Sequence, residues 1–178
     1  MAAPRPLPLD PIEEAHRQWT SHGWGDVADG MAAVTSLVRA QQIVMARVDE
    51  ALRPSGLTFS RYELLTLLGF SKSGALPMAT ASARLQVHPT SVTNTVDRLE
   101  AAQLVKRVPH PSDRRATLIE ITAAGRDLAA AATRELNEKV FAQPGLPPER
   151  LQLLLQLLAE FRREAGDFDS GDTPTRWA

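Results

Sequence analysis

Just one part of this chain has the residue pattern of β-strands, and helical patterns lie on both sides of it. The stretches LVKRV and ATLIEIT are rich in β-branched residues and partly alternate apolar with polar positions, and the segment PHPSDRR between them carries prolines and an aspartate. This pattern predicts a β-hairpin with a long loop. The chain is therefore predicted to be mainly α with one small hairpin.

The helical patterns before and after the hairpin contain apolar stripes that indicate packing against another helix. Asp10 as N-cap and Pro11 at the first position predict a short helix, and a long helix is predicted at roughly Val27 to Leu52. The long helix has a stripe with alternating spacings of three and four, and a leucine-rich helix follows near the C-terminus. Such stripes are typical of helices that pack along other helices.

Two shorter helices precede the hairpin and form a candidate helix-turn-helix. They are predicted at Met78 to Gln86 and at Pro89 to Ala102, where Pro89 suits the first helical position and makes His88 the N-cap. A helix-turn-helix that is followed by a hairpin is a winged helix, in which the second helix lies in the major groove of DNA.

The second of these helices has an unusual polar face. At one hundred degrees per residue, Val92, Val96 and Leu99 form the apolar stripe. Hydroxyl, amide and guanidinium groups, which suit base edges and phosphates, lie away from this stripe. The candidate DNA-binding residues of this face are Thr90, Ser91, Asn94 and Arg98. The alternative is an ordinary solvated helix face.

The hairpin adds positive charge to the same region. From Arg98 to Arg115 the sequence has five basic and two acidic residues, a balance of +3 in a chain whose net charge is −1. Arg114 and Arg115, at the end of the loop, are predicted to contact DNA, since arginine suits the negative potential of a narrow minor groove. Asp113 is predicted to brace this wing by orienting a guanidinium.

Composition and motifs argue against several other functions. The chain has no cysteine, and its four histidines lack the H-x-x-x-H spacing of a helical zinc pair. No G-x-S-x-G motif or phosphate-binding loop is present, so neither an enzyme, a metal site nor a cofactor is predicted. With no apolar stretch of membrane-spanning length and a proline-rich N-terminus, a cytoplasmic protein without membrane contact is predicted.

Trp19 and Trp24 flank the short N-terminal helix, and two interpretations remain open. The rings either pin this helix onto the rest of the molecule or form part of a candidate pocket for a small aromatic or anionic effector. For the chain as a whole, the alternative to DNA binding is a helical protein–protein adaptor that uses its leucine-rich helices as the interface.

The stretch TSVTNTVDRLE, the D-x-R of Asp113 and Arg115, and the T-x-x-G from Thr122 to Gly125 together resemble the core of the MarR family of winged helix-turn-helix transcriptional regulators. The resemblance implies a homodimer, built from N- and C-terminal helices, that binds a pseudo-palindromic operator on double-stranded DNA as a ligand-responsive repressor. The family often has glycine where Gln103 stands, so a left-handed backbone there would cost about 1 kcal/mol.

Two further expectations follow from the resemblance. The dimer surface is expected to include the residues Val34, Val38, Leu128, Leu136, Leu151, Leu154 and Leu158. The N-terminal helix is similar to that of a urate-responsive subgroup, from which the chain departs by having Thr95 in place of an arginine and Glu63 in place of an aspartate.

The predicted organisation has five parts. They are a disordered N-terminus (1–9), N-terminal dimerisation helices (10–53), a winged helix-turn-helix DNA-binding region (54–122), C-terminal dimerisation helices (123–165) and a flexible tail (166–178).

Overall fold

A computed structural model describes residues 6–112 and 117–168 of the chain. Within these residues the fold is mostly helical, with a small antiparallel sheet, as the sequence predicts. The helices are α1 (Pro11–Ser21), α2 (Gly25–Leu52), α3 (Phe59–Phe70), α4 (Met78–Leu85), α5 (Pro89–Ala101), α6 (Ala123–Leu136) and α7 (Pro148–Glu164). A 3₁₀ turn (Arg53–Ser55) follows α2, and a π-helical turn (Asn137–Phe141) follows α6.

The sheet contains the predicted hairpin and one additional strand. Strands β2 (Val105–Pro109) and β3 (Thr117–Ile121) form the hairpin, and β1 (Ala75–Pro77) pairs with the other edge of β3, which gives the order β1-β3-β2. The sequence predicts a loop that runs into an extended residue before Pro77. Leu76 is extended, but it belongs to a paired strand that the sequence does not predict. A strand of three residues is too short for an alternating pattern to show, and the pairing with β3 that forms it is distant in sequence.

Side chains cap three of the helices where the sequence predicts their starts. The Asp10 carboxylate accepts from the Ile12 backbone N–H at 2.9 Å, and the His88 ring accepts from the backbone N–H of Thr90 at 3.3 Å. The Thr122 hydroxyl accepts from a free backbone N–H in the first turn of α6, that of Gly125, at 3.0 Å. Each cap satisfies a backbone donor that the helix itself leaves unpaired.

The sequence offers two N-cap residues for α3, Thr58 and Ser60, and Ser60 has the spacing of a capping box with Glu63. Thr58 stands at the N-cap position, but its side chain makes no capping hydrogen bond. Ser60 lies inside the helix, so the predicted capping box of Ser60 with Glu63 does not form at the N-cap position.

The core lies between α2, α3, α5, α6 and the sheet, where the largest fully buried side chains are Leu52, Leu64, Leu65, Leu68, Leu99, Ile119, Leu136, Val92, Val96 and Val105. Leu136 is thus part of the chain's own core and is not available to a partner, which corrects the expectation that it contributes to the dimer surface. Of the other expected dimer residues, Val34, Val38 and Leu154 are exposed, and Leu128, Leu151 and Leu158 are half-buried.

The apolar stripe of α2 divides into two parts. Val48 and Leu52 are buried in the core, whereas Val34 is 63% and Val38 is 49% exposed. Helix α7 is similar, since Ala159 is its one buried residue although the helix is rich in leucine. Large apolar side chains on α2 and α7 therefore remain uncovered within the described part of a single chain.

In the turn after α5, Gln103 has a left-handed backbone with φ of 59°, at the position where the resembling family often has glycine. Gln86, which follows α4, has φ of 53°. A glutamine in this region costs about 1 kcal/mol relative to an ordinary conformation, and the surrounding turn holds it there.

A search of the described residues found no helix with the length and hydrophobicity needed to cross a lipid bilayer.

Candidate nucleic-acid interface

Helix α5 turns its apolar stripe inward and its polar face to solvent. Val92 is 2% exposed, and Val96 and Leu99 are fully buried in the core beneath the helix. The predicted DNA-binding residues of this helix all have exposed side chains: Thr90, Ser91, Asn94 and Arg98. The solvent-facing side of α5 therefore has the small polar character that major-groove contact requires.

The four side chains of this face have no polar partner in the part of the chain that the structure describes. Among the described residues, none of them makes a side-chain hydrogen bond or ion pair. In contrast, the Thr93 hydroxyl donates to the Pro89 carbonyl at 3.1 Å and the Thr95 hydroxyl donates to the Ser91 carbonyl at 2.9 Å. The hydrogen-bonding capacity of the four predicted residues thus remains open to an external partner.

A short turn fixes α5 against α4. The backbone N–H of Val87 donates to the Ser82 carbonyl at 3.3 Å, and the Ser82 hydroxyl donates to the Val87 carbonyl at 2.7 Å. These two bonds close the turn around the left-handed Gln86. The pair α4–α5 therefore forms a compact helix-turn-helix whose second helix is presented to solvent.

The remaining predicted site residues belong to the segment of sequence between strands β2 and β3. Asp113, Arg114 and Arg115 lie outside the described residues, so their predicted contacts with DNA and within the wing stay predictions. The described strands β2 and β3 follow α5 and its turn directly.

Two basic residues of the hairpin are paired within the chain rather than offered to DNA. The Lys106 ammonium lies 2.9 Å from the Glu120 carboxylate, and the Arg107 guanidinium pairs with both Asp97 and Glu100. When Asp97 and Glu120 are included, the local charge balance falls from +3 to +1. The sequence count therefore overestimated the positive charge free to meet a polyanion, because these pairings depend on the tertiary fold.

The two carboxylates stabilise the charged form of Arg107. The hydrogen bond that its guanidinium donates to Asp97 and the nearby Glu100 carboxylate raise the pKa of Arg107 above its ordinary value. Residue spacing showed Arg107 as a basic residue near the wing, but gave no signal that two carboxylates of α5 would surround it.

Trp19 and Trp24 contact each other beside the N-terminal helix. Their ring centroids lie 5.3 Å apart in an edge-to-face arrangement, and His22 stacks on Trp24. His16 of α1 pairs with Asp29 of α2 at 2.8 Å, which ties the two helices together. This arrangement agrees with a role of the tryptophans in holding α1 on α2, and the cavities described next are lined by other residues.

Two cavities border helix α3. The larger, of about 250 Å³, lies between α3, α6 and β3 and is lined by Leu65, Thr66, Gly69, Phe70, Ile121, Arg126, Ala129, Ala130 and Thr133. The Thr66 hydroxyl is buried and has no hydrogen-bond partner among the described residues. The Arg126 side chain likewise makes no ion pair with a described residue. The cavity thus combines an apolar floor with an unpaired hydroxyl and a cation.

The smaller cavity, of about 50 Å³, lies between α3 and α5. Glu63 and Thr95, the two positions at which the chain departs from the urate-responsive subgroup, both line it. Partial burial raises the pKa of the Glu63 carboxyl.

Over residues 6–112 and 117–168, no group of three or more histidine, aspartate or glutamate side chains is placed to hold a metal ion.

Comparison with known proteins identifies relatives of this chain. The family model described as "MarR family" matches residues 55–116. The chain is 30% identical over 113 residues to the HTH-type transcriptional regulator Mb0904 of Mycobacterium bovis, which covers 64% of this chain and 73% of that protein. It spans about half the length of the first curated relatives, such as 51% of YhbI of Bacillus subtilis at 33% identity.

Solved structures show the same similarity. Sco5413, a MarR family transcriptional regulator from Streptomyces coelicolor, is 50% identical with a TM-score of 0.71, and the match covers 79% of this chain and 98% of that one. CouR from Rhodococcus jostii, solved bound to p-coumaroyl-CoA, is 28% identical with a TM-score of 0.61, covering 70% and 87%. With a winged helix-turn-helix between two helical regions and these relatives, the chain belongs to the MarR family of transcriptional regulators.

Proposed function

We propose that this protein is a sequence-specific DNA-binding transcriptional regulator that acts as a homodimer on a pseudo-palindromic operator. The observation that carries the proposal is the outward face of α5, whose four polar side chains make no hydrogen bond or ion pair with any described residue. A regulator of this kind acts where chromosomal DNA is found, in the cytoplasm. We assign it no catalytic role.

The side chains of α5 have distinct roles in this proposal. Asn94, near the middle of the helix, pairs with a base edge, since an amide can bond adenine through both its donor and its acceptor. Thr90 and Ser91, in the first turn, contact the phosphate backbone together with the helix N-terminus. Arg98 contacts guanine or phosphate.

The wing has a separate role, which rests on the family resemblance. Arg114 and Arg115 lie in the minor groove next to the one that α5 occupies, and Asp113 braces the wing. The strands β2 and β3, which flank these three residues in sequence, are consistent with such a placement.

A second copy of the chain is proposed to cover the exposed apolar faces of α2 and α7. On α7, Leu153 is 54%, Leu157 54% and Phe161 61% exposed, an apolar face that a soluble helix rarely leaves in water. Packing these helices against their copies would set the two α5 helices about 34 Å apart, one turn of DNA. The two linked winged helix-turn-helix regions then bind two half-sites at once.

The proposed effector is a small aromatic or anionic molecule. The cavity beside α3 supports this, because Thr66 and Arg126 offer a hydroxyl and a cation over an apolar floor. The structure of CouR with p-coumaroyl-CoA shows that a related protein binds an aromatic acyl compound. Quenching of the fluorescence of Trp19 and Trp24 by such compounds would support a pocket that includes the N-terminal helix.

Release from DNA follows from differential affinity in this proposal. An effector that binds better to a dimer with a different spacing of its α5 helices shifts the population away from the DNA-binding arrangement. Repression relieved by a ligand is the simplest outcome of this coupling.

Replacing Asn94 with alanine is expected to relax sequence preference more than it weakens overall binding. The change removes a base-edge contact, so discrimination between the operator and variants at one position of each half-site should fall by about 1–3 kcal/mol. Competition binding with a panel of operator variants measures this. The matched control is Asn137→Ala, the same chemical change at an exposed position after α6, which should leave discrimination intact.

The rival function is a protein–protein adaptor without a DNA target. The regulator is favoured if the dimer stays on immobilised duplex DNA at low salt and is released at high salt. Contacts with phosphate release counterions, so added salt weakens this binding. A dimer that flows through at low salt would favour the adaptor.

A further inference from the structure

Arg107 occupies the junction between the helix that reads DNA and the wing. It lies in the middle of β2, and its guanidinium donates to the Asp97 carboxylate at 2.5 Å and also to the Glu100 carboxylate. Asp97 and Glu100 are three residues apart on α5, so both face the same strand. One cation therefore joins two points of the recognition helix to the wing.

Glu100 also binds the backbone of the strand. The Arg107 backbone N–H donates to the other oxygen of the Glu100 carboxylate at 3.0 Å. This second attachment is independent of the arginine side chain and sets the position of β2 along the helix. With both contacts present, translation and tilt of the wing relative to α5 are restrained.

The Arg107–Glu100 pair is partly shielded from solvent, whereas Asp97 is more open. The Arg107 side chain is 30% exposed and that of Glu100 is 38% exposed, but that of Asp97 is 56% exposed. Arg98, by contrast, has an exposed side chain without an ion pair to a described residue, although it lies one residue from Asp97. The two arginines thus have opposite roles: one is used inside the molecule and the other is free to meet DNA.

We propose that Arg107 is a positioning residue for DNA binding, which fixes the angle between the wing and the recognition helix without contacting DNA itself. The inference rests on the proposed function. A helix and a wing that enter neighbouring grooves must be held in one relative arrangement, or binding must pay the entropy of ordering them. Arginine suits this role because its planar fork binds two carboxylates at once, which a lysine ammonium does less well.

Salt dependence separates positioning from contact. A side chain that contacts phosphate releases counterions, so its removal lowers the slope of log K against log salt by about one. A positioning residue makes no such contact. Its removal lowers affinity by a similar factor at every salt concentration and leaves the slope unchanged.

The test measures operator binding across a salt series for the wild type, Arg107→Met, Arg107→Lys and Arg98→Ala. Methionine keeps much of the aliphatic stem and removes the charge. Arg107→Met should lower affinity about 10-fold, the loss expected for a charged hydrogen-bonded pair, with the wild-type slope. The affinity of Arg107→Lys should lie between that of the wild type and that of Arg107→Met. Arg98→Ala should instead reduce the slope of log K against log salt. An unchanged affinity for Arg107→Met, or a slope reduced as in Arg98→Ala, overturns the proposal.

Hydrogen exchange provides a readout that does not depend on DNA. In the free protein, Arg107→Met should increase exchange of the β2 amides relative to the wild type while the α6 amides keep their protection, which shows that the variant is folded. If wild-type protein binds no duplex, the proposed function fails, and exchange alone decides whether Arg107 couples helix and wing. Unchanged β2 exchange would contradict that coupling.

Discussion

Replacing Gly125 with alanine is expected to destabilise the protein by about 2–3 kcal/mol, the cost of forcing an atom into a packed site. A Cβ at this position would lie 2.1 Å from the Leu104 carbonyl oxygen and 2.9 Å from the Ile121 side chain. The closer atom belongs to the backbone, so it cannot move away without disturbing the turn after α5. Thermal denaturation should show a midpoint lower by roughly 5–10 °C for a chain of this size.

Gly69→Ala is the matched control for this change. Gly69 lies in α3, and no heavy atom that would contact an added Cβ lies within 4 Å. Alanine should therefore leave stability unchanged or raise it by up to about 1 kcal/mol, because it is the better helix former. If both variants melt at the same temperature, the close approach at Gly125 does not exist in solution.

Replacing Leu157 with glutamate is expected to produce a monomer and to lower operator affinity by at least about 100-fold, the range lost when two linked binding sites are separated. Leu157 is 54% exposed on α7, so the added charge is tolerated in a single chain but would be desolvated in a helix–helix interface. Sedimentation and operator titration at matched protomer concentration measure the two effects.

Gln156→Glu adds the same charge one residue away, at a position that is already polar and exposed. This control should remain dimeric and bind the operator as the wild type does. Circular dichroism at low temperature should show the same helix content in both variants. A Leu157→Glu protein that stays dimeric would show that the α7 face is not the dimer interface.

The elements with a strong local pattern could be predicted from the sequence. Helix α5 and its His88 cap follow from a proline at the first position and a regular apolar stripe, and the hairpin follows from two β-branched stretches. The family resemblance drew attention to Gln103, which has a left-handed backbone in the structure. These features depend on residues close together in the chain.

Features that depend on tertiary contact could not be predicted in the same way. Strand β1 forms because it pairs with β3, which is distant in sequence. The charge of Arg107 is compensated because α5 places two carboxylates beside β2. A stripe on α2 likewise does not reveal where the chain's own core ends, since Val34 and Val48 occupy equivalent positions in the pattern but are 63% and 2% exposed. Periodicity identifies the buried face, and the fold decides which neighbour buries it.

The structure gives the T-x-x-G motif a physical explanation. The Thr122 hydroxyl donates to the Gln103 carbonyl at 2.9 Å and accepts from the Gly125 N–H at 3.0 Å, so one side chain joins the turn after α5 to the start of α6. Gly125 then permits the Leu104 carbonyl to approach α6. The motif thereby fixes the recognition helix relative to the helix that leads to the proposed dimer interface.

Selection of binding sites from random duplex DNA by the full-length protein tests the central claim most directly. A dimer that binds DNA through α5 should enrich an inverted repeat whose half-site centres are separated by about 10 base pairs, one turn of DNA. The Asn94→Ala and Arg98→Ala proteins should recover a more degenerate repeat. Recovery of no enriched sequence, or of one without two-fold symmetry, would contradict a dimer that reads DNA through the exposed face of α5.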